Sequence, residues 1–400
     1  MPEWQTVPLP EVLDFQEGPG IMAKDFRAEG VPLLRLAGLK RNSALLMGCN
    51  FLDSKVVEKR WAHFRLREGD VLLSTSASLG EVAQVDASGV GAIAYTGIIR
   101  FRPKNSLVDP AFIQFMLTSP SFKHQIEAMG VGSVMKHFGP SHLRQMTVDV
   151  PPVPDQGAIA AVLGALDEKI AVNERVATTA LGLAEAIYLQ VAESKTWQSA
   201  RLADAARWMS GGTPKTSEPS YWGGSIPWIS ALSLKSPWID RSDRNVTELG
   251  ARSGTRIAPV DTVLFVVRGS SLKEEFRIGI AQRDVAFGQD CKALIARDGI
   301  DPHVLFHGIR SQTAKVLGMV DETSIGAGRL STDLISNLEI RFPGAQSDAA
   351  VAEVRTLDEV AATRQRESQA LATLRDTLLP QLMSGRLRVK DAEKIVEDAT

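Results

Sequence analysis

Nowhere in the 400 residues do some 18 apolar residues run together, so no transmembrane helix is expected. The opening MPEWQTVPLPEV is acidic and has no apolar core segment, so no secretory signal is expected. Cysteine is almost missing: Cys49 and Cys291 are too few and too isolated for a disulfide framework or a zinc site, and a reducing cytoplasm is the expected location. There is no G-x-x-x-x-G-K-[ST] phosphate loop, which excludes ATP binding of that kind. There is no Asn-Pro-Pro-aromatic or Asp-Pro-Pro-Tyr stretch, so the usual amino-methyltransferase pocket is absent. The glycines at Gly130 and Gly326 do not extend to G-x-G-x-x-G and read as turn residues.

A large charge excess is also lacking, since 45 basic residues face 47 acidic ones. The distribution is uneven. Residues 1–150 hold 16 Lys+Arg against 15 Asp+Glu and residues 201–343 hold 18 against 16, while 151–200 and 344–400 together hold 11 against 16. A chain that neutralised many phosphates alone would be more basic. If DNA is the ligand, a partner supplies much of the phosphate-binding charge.

What is present is a repeat. ALDEKIAVNERVATTALGL from Ala165 returns as TLDEVAATRQRESQALATL from Thr356, 191 residues later. Trp4 matches Trp197 and Gly18 matches Gly211 at an offset of 193, and Pro32 and Lys40 match Pro227 and Lys235 at 195. GDVLL at Gly69 matches VDTVL at Val260 at 191, and Asp109-Pro110 and Pro151 match Asp301-Pro302 and Pro343 at 192. Matches in constant order point to a duplicated unit of about 190 residues. The first part of each copy carries short β-type runs (VLLST, IAYTGIIRF, TVLFVV, NLEIRF) broken by Gly, Pro, Ser and Asp, with one or two helices: a mixed α/β domain. The second part is one long helix. Leu163, Leu166, Ile170, Ala180, Leu183 and Ile187 recur at helical steps, and so do Val354, Leu357, Ala361, Leu371, Leu374 and Leu378. That narrow stripe suits a two-helix seam. Asp155 and Gln156, or Ser347 and Asp348, stand where N-caps belong, and Pro380 and Gly385 mark the end of the second helix. Two copies pair most simply about a twofold axis, which makes the helices antiparallel. A helix from Ala158 to Ala192 is roughly 50 Å long. The expected fold class is therefore α/β (α+β): two mixed α/β domains related by pseudo-twofold symmetry and separated by a pair of long antiparallel helices. Such a rod would suit duplex DNA read at two half-sites.

Several segments resemble, in order, the specificity (S) subunits of type I restriction–modification systems. SGGTPKTSEPSYWGGSIPWISALSLK looks like the opening of a target-recognition domain in that family, and EGPGIMAKDFRAEGVPLLRLAGL like a second variety of it. LREGDVLLSTSASLGEVAQV and APVDTVLFVVRGSS…IGIAQ resemble the strand–loop–strand that follows. VDVPPVPDQGAIAAVLGALDEKI resembles the central conserved region and TLRDTLLPQLMSGRLRV the distal one. FPGAQSDAAVAEV departs from the family's Pro-Pro–acidic–Gln helix entry. The resemblance implies target-recognition domain 1 over 1–152, a central conserved helix over 153–195, target-recognition domain 2 over 196–343, a distal conserved helix over 344–390 and a tail over 391–400. It also implies a non-catalytic subunit that reads a bipartite asymmetric target in double-stranded DNA. Two modification (methyltransferase) subunits would methylate adenine, and restriction (translocase/nuclease) subunits would cleave with ATP. S-adenosylmethionine, ATP and Mg are expected on those partners and none on this chain.

Base reading calls for Arg, Lys, Asn, Gln and hydroxyls on projecting loops. The candidates are Lys24, Arg41, Asn42, Ser74, Thr75, Ser76, Ser78, Lys136 and His137 in the first copy. In the second they are Thr213, Lys215, Trp222, Lys235, Arg268, Ser270, Ser271, Lys273 and Arg329. The repeat equates loop 74–78 with 268–273, and 132–138 with 324–330. A competing reading takes Asp155, Asp167 and Lys169 as the acid–acid–lysine set of a Mg-dependent nuclease. The second copy has Asp348, Asp358 and Val360 there, so the lysine is gone. A third reading is a protein-only helical scaffold. His303 and His307, four apart on an expected helix, would need a further ligand to hold zinc.

Overall fold

The computed structural model describes residues 4–40, 43–76, 79–129, 138–322, 327–344 and 349–399. The chain divides into two compact units, one formed by Met1–Ala171 with Gln369–Thr400 and the other by Val172–Ser368. No described helix is long and apolar enough to cross a membrane.

In the first unit the strands Gln5–Pro8 and Thr147–Val150 pair antiparallel where the chain enters and leaves the globular part. One four-stranded antiparallel sheet runs in the order Leu13–Glu17, Ile98–Pro103, Val71–Ser74, Val82–Gln84. A second runs in the order Phe26–Arg27, Asn50–Leu52, Val31–Leu34, Ile93–Ala94, its last pair parallel. The second unit repeats this plan. Trp197–Arg201 pairs with Glu339–Pro343, and Ala206–Ser210, Cys291–Ala296, Val263–Val266 and Ile278–Ala281 are neighbours in one sheet. Trp222–Ile229 runs parallel to Val285–Phe287 in another, as Val31–Leu34 does to Ile93–Ala94. Opposed pairs fix the offset: Val71 faces Phe101, and Val263 faces Leu294. The match at this strand is therefore 192, one residue from the 191 of the sequence reading; a one-residue slip would turn every side chain to the wrong face. Asp109 and Asp301 both cap a Pro-initiated helix by accepting a backbone N–H two residues on.

The central helix spans Val153–Ala192 and the distal helix Ala349–Met383. In the first unit Leu163, Leu166 and Ile170 from the start of the central helix share a core with Leu371 and Leu378 from the end of the distal helix, with Leu374 against them. In the second unit the end of the central helix (Ala184, Tyr188, with Ile187 against them) meets the start of the distal one (Val354, with Leu357). That order of contacts is the order of an antiparallel pair. One seam position fails: Leu183 is 48% exposed. Ala180, Ala184 and Tyr188 take the inward face at four-residue steps, which turns Leu183 out. Pro380 does not end the distal helix, which continues to Met383; its missing N–H leaves one carbonyl, four residues back, without its helical bond. Gly385 does mark the exit, at φ +67°. The segment 391–400, read as a tail, belongs largely to the helix Val389–Ala399, whose Ala392 is buried in the first unit's core.

Gln156 is not an N-cap. It lies inside the central helix, fully buried, and its amide binds three backbone groups of the first unit. Its Oε1 accepts from Asp109 N–H at 2.8 Å, and its Nε2 donates to the carbonyls of Leu107 at 2.7 Å and Pro151 at 2.8 Å. Gln156→Ala leaves those groups unpaired and is expected to cost about 2–3 kcal/mol. A denaturant midpoint shift in the full chain checks this; a change under about 0.5 kcal/mol would show that water replaces the amide.

Candidate nucleic-acid interface

The described roots of the loops equated by the repeat meet within each unit. In the first unit Thr75 donates its N–H to the Gly97 carbonyl at 2.8 Å, and its own carbonyl accepts from Phe138 N–H at 3.1 Å. In the second unit Val267 donates to Asp290 at 2.8 Å and accepts from Leu330 at 2.9 Å. The same two roots are thus tied by the same backbone bonds in both copies. Beyond the roots the second unit builds a small antiparallel sheet in the order Arg268–Gly269, Gly328–Leu330, Val320–Glu322. Val267, Leu272 and Leu330 anchor its inner side in the core, and Arg268 and Arg329 are exposed. Arg268 lies directly opposite Arg329, which in turn faces Asp321. Among the described residues no hydrogen bond or ion pair holds the guanidinium of Arg268 or Arg329.

Ser270 is exposed on the adjoining turn, Ser271 is half-buried and Lys273 is exposed. Lys24, Lys215 and Lys235 are exposed as well. Thr213 is half-buried, and its hydroxyl donates to Gln289 Oε1 at 2.6 Å. Trp222 is half-buried, edge-on to Trp228 at 5.5 Å, with the Arg244 guanidinium stacked 3.7 Å from its ring centre. That stacking covers the face that an unpaired base would need; Arg244 was not singled out in the sequence, although an arginine following a tryptophan cluster is the signal that could have found it. Ser74 and Thr75 are corrected: both are buried, and Ser74 Oγ accepts the Glu81 N–H at 2.9 Å, so neither hydroxyl reaches a groove. Ser74 ends a strand buried on both faces and Thr75 follows it, which the polar run STSAS conceals. Ser76 is half-buried beside Gly97. Arg41, Asn42, Ser78, Lys136 and His137 lie outside the described residues.

The nuclease set does not assemble. Asp155, Asp167 and Lys169 all lie on the central helix, and twelve residues place Asp155 about 18 Å from Asp167 along its axis, too far to share a metal. Asp167 instead accepts from Arg375 of the distal helix. Its repeat partner Asp358 is fully buried in the second unit and takes hydrogen bonds from His303 Nδ1 at 2.8 Å and His307 Nε2 at 3.1 Å. Those are hydrogen-bond distances, and the described residues hold no group of three or more His, Cys, Asp or Glu placed for a metal ion. Burial alone would raise the Asp358 carboxyl, but the two imidazole bonds outweigh it and hold the group below the ordinary 3.8. Cys291 is buried, and burial pushes its thiol up to about 12, so it is inert packing.

Residues 1–179 match the family model described as the type I restriction modification DNA specificity domain. The specificity subunit of the type I restriction enzyme EcoR124I/EcoR124II from Escherichia coli is 26% identical over 155 residues, covering 38% of this chain and 38% of that protein. The MjaIX specificity subunit from Methanocaldococcus jannaschii is 25% identical over 184 residues, covering 44% of this chain and 41% of the relative. The chain thus aligns with about two-fifths of the length of these curated relatives. The crystal structure of a type I restriction–modification S subunit from M. genitalium has a TM-score of 0.61 at 16% identity and covers 95% of this chain and 96% of that one, a likeness of fold. Residues 1–179, somewhat under half of the chain, are thus similar to the type I restriction modification DNA specificity domain, and the chain as a whole shares the fold of an S subunit.

Proposed function

We propose that the chain is a DNA-reading specificity subunit: each unit reads one half of a bipartite asymmetric duplex target, and partner subunits carry the chemistry. The observation that carries this is the pair of loop roots, tied by equivalent backbone bonds in both units while the side chains beyond them differ. A duplicated scaffold with divergent tips suits two readings of one kind of ligand, and base edges are that kind. The partners on this reading are two adenine methyltransferase subunits, with restriction subunits joining them. S-adenosylmethionine, ATP and Mg belong to those subunits, and this chain acts without catalysis of its own in the cytoplasm. The near-neutral charge of −2 supports DNA binding in company.

Sequencing the host's genomic DNA for N6-methyladenine, with and without the gene, tests this. Loss of methylation at one split motif on deletion is expected. Unchanged methylation, with no shift of any duplex by the chain co-expressed with a methyltransferase subunit, would leave a protein-only scaffold instead.

A further inference from the structure

We infer that Arg268 and Arg329 read guanine in the half-site bound by the second unit; the inference rests on the DNA-reading function proposed above. Three observations carry it. First, the two residues are a direct cross-strand pair on a sheet whose other side is anchored in the core by Val267, Leu272 and Leu330. Their backbones are set by strand pairing, which gives the precision that hydrogen bonding to a base edge needs. Second, like charges placed directly opposite on a sheet repel. Asp321 faces Arg329 on the third strand, yet no hydrogen bond or ion pair among the described residues holds either guanidinium, although other arginines of this unit are paired, as Arg277 is with Glu275 and Arg310 with Glu185. Third, at the offset of 192 that matches Val267 to Thr75 and Leu330 to Phe138, these positions hold Ser76 and His137 in the first copy.

The third observation decides between the two chemistries an exposed arginine pair can serve. Phosphates repeat along a duplex whatever its sequence, so a phosphate anchor would be kept in both copies of a duplicated domain. Base edges differ between the halves of an asymmetric target, so base readers must diverge. The backbone bonds at the roots are kept, and the two side chains are not. An arginine fork matches the two major-groove acceptors of guanine, O6 and N7.

The test uses the full chain co-expressed with its methyltransferase subunit, comparing wild type with Arg268→Ala, Arg329→Ala and the longer-reaching Arg268→Gln and Arg329→Gln. The methylated motif is sequenced, and duplex binding is measured against salt. Each substitution should make a guanine position degenerate in one half of the motif only. Discrimination at that position should fall roughly 10- to 100-fold, with affinity for unrelated duplexes and the salt slope unchanged. Equal weakening on every duplex with a shallower salt slope would mean phosphate contacts and overturn the inference, as would an unchanged motif. If wild type neither methylates a motif nor binds duplex specifically, the DNA-reading function itself fails, which is a separate result.

Discussion

Replacing Asp358 with alanine is expected to destabilise the second unit by about 3–5 kcal/mol, because it leaves two buried imidazoles facing an empty space. For both to donate to one carboxylate, His303 carries its proton on Nδ1 and His307 on Nε2. His307 Nδ1 has no hydrogen-bond partner among the described residues. The helix Pro302–Arg310 thus presents two N–H groups to a single anion on the distal helix, inside one unit. One further charge faces the same cluster: Arg310, which feels Asp358 and pairs with Glu185 of the central helix. The Tyr188 ring stacks on His307, and burial raises its hydroxyl to about 12, so it does not titrate in the range of interest. The depressed Asp358 carboxyl sets the sign of the pH effect. Its contribution is complete above the ordinary 3.8 and is lost as pH falls through the lower value of the folded chain. Wild type should therefore lose protection in the Pro302–Arg310 helix below about pH 4, and Asp358→Ala should lack it already at pH 7. Amide exchange of that helix is the measurement. A variant within about 1 kcal/mol of wild type at neutral pH would show that the cluster is packing rather than a fastening.

Gly211→Ala and Gly18→Ala should each cost about 3 kcal/mol, more than ordinary overpacking, since backbone rather than a side chain must yield. A Cβ at Gly211 would stand 2.2 Å from the Phe287 carbonyl oxygen, and one at Gly18 2.0 Å from that of Ala94. These are equivalent places in the two units, where a strand end passes over the parallel pairs Ile229–Phe287 and Leu34–Ala94. Gly20, two residues on in the same EGPG motif, has open space around it, so Gly20→Ala should stay within about 0.5 kcal/mol. Denaturant melts of the three variants decide the matter. A Gly18 variant as stable as the Gly20 variant would disprove the close approach.

The glycine pair also shows what could be read before any coordinates. A backbone contact that admits only glycine is written as glycine in both copies, so Gly18 and Gly211 match in the sequence alone, and so do the Asp-Pro helix starts and, loosely, the loops 74–78 and 268–273; the root pair Thr75 and Val267 needs the backbone bonds. What failed had no local signature. Ser74 and Thr75 look like loop hydroxyls because polarity marks a strand end as readily as a turn. Leu183 shares the spacing of the seam but points elsewhere, since three- and four-residue steps leave more than one face available to a long helix. Nothing near His303 and His307 announces their partner, 55 and 51 residues downstream. In the sequence Asp358 stands out only as the counterpart of Asp167, without the imidazoles that it serves.

The division of the chain has a consequence for its biosynthesis. One unit is a continuous stretch, Val172–Ser368, while the other needs both Met1–Ala171 and Gln369–Thr400. On the ribosome, the later-made continuous unit has all its parts first. The earlier-made one must wait, its core open where Leu371, Leu378, Leu382 and Met383 will close it, until those residues emerge. A nascent chain that has released Ser368 but not yet Leu371–Met383 therefore holds all of the second unit and an unfinished first one.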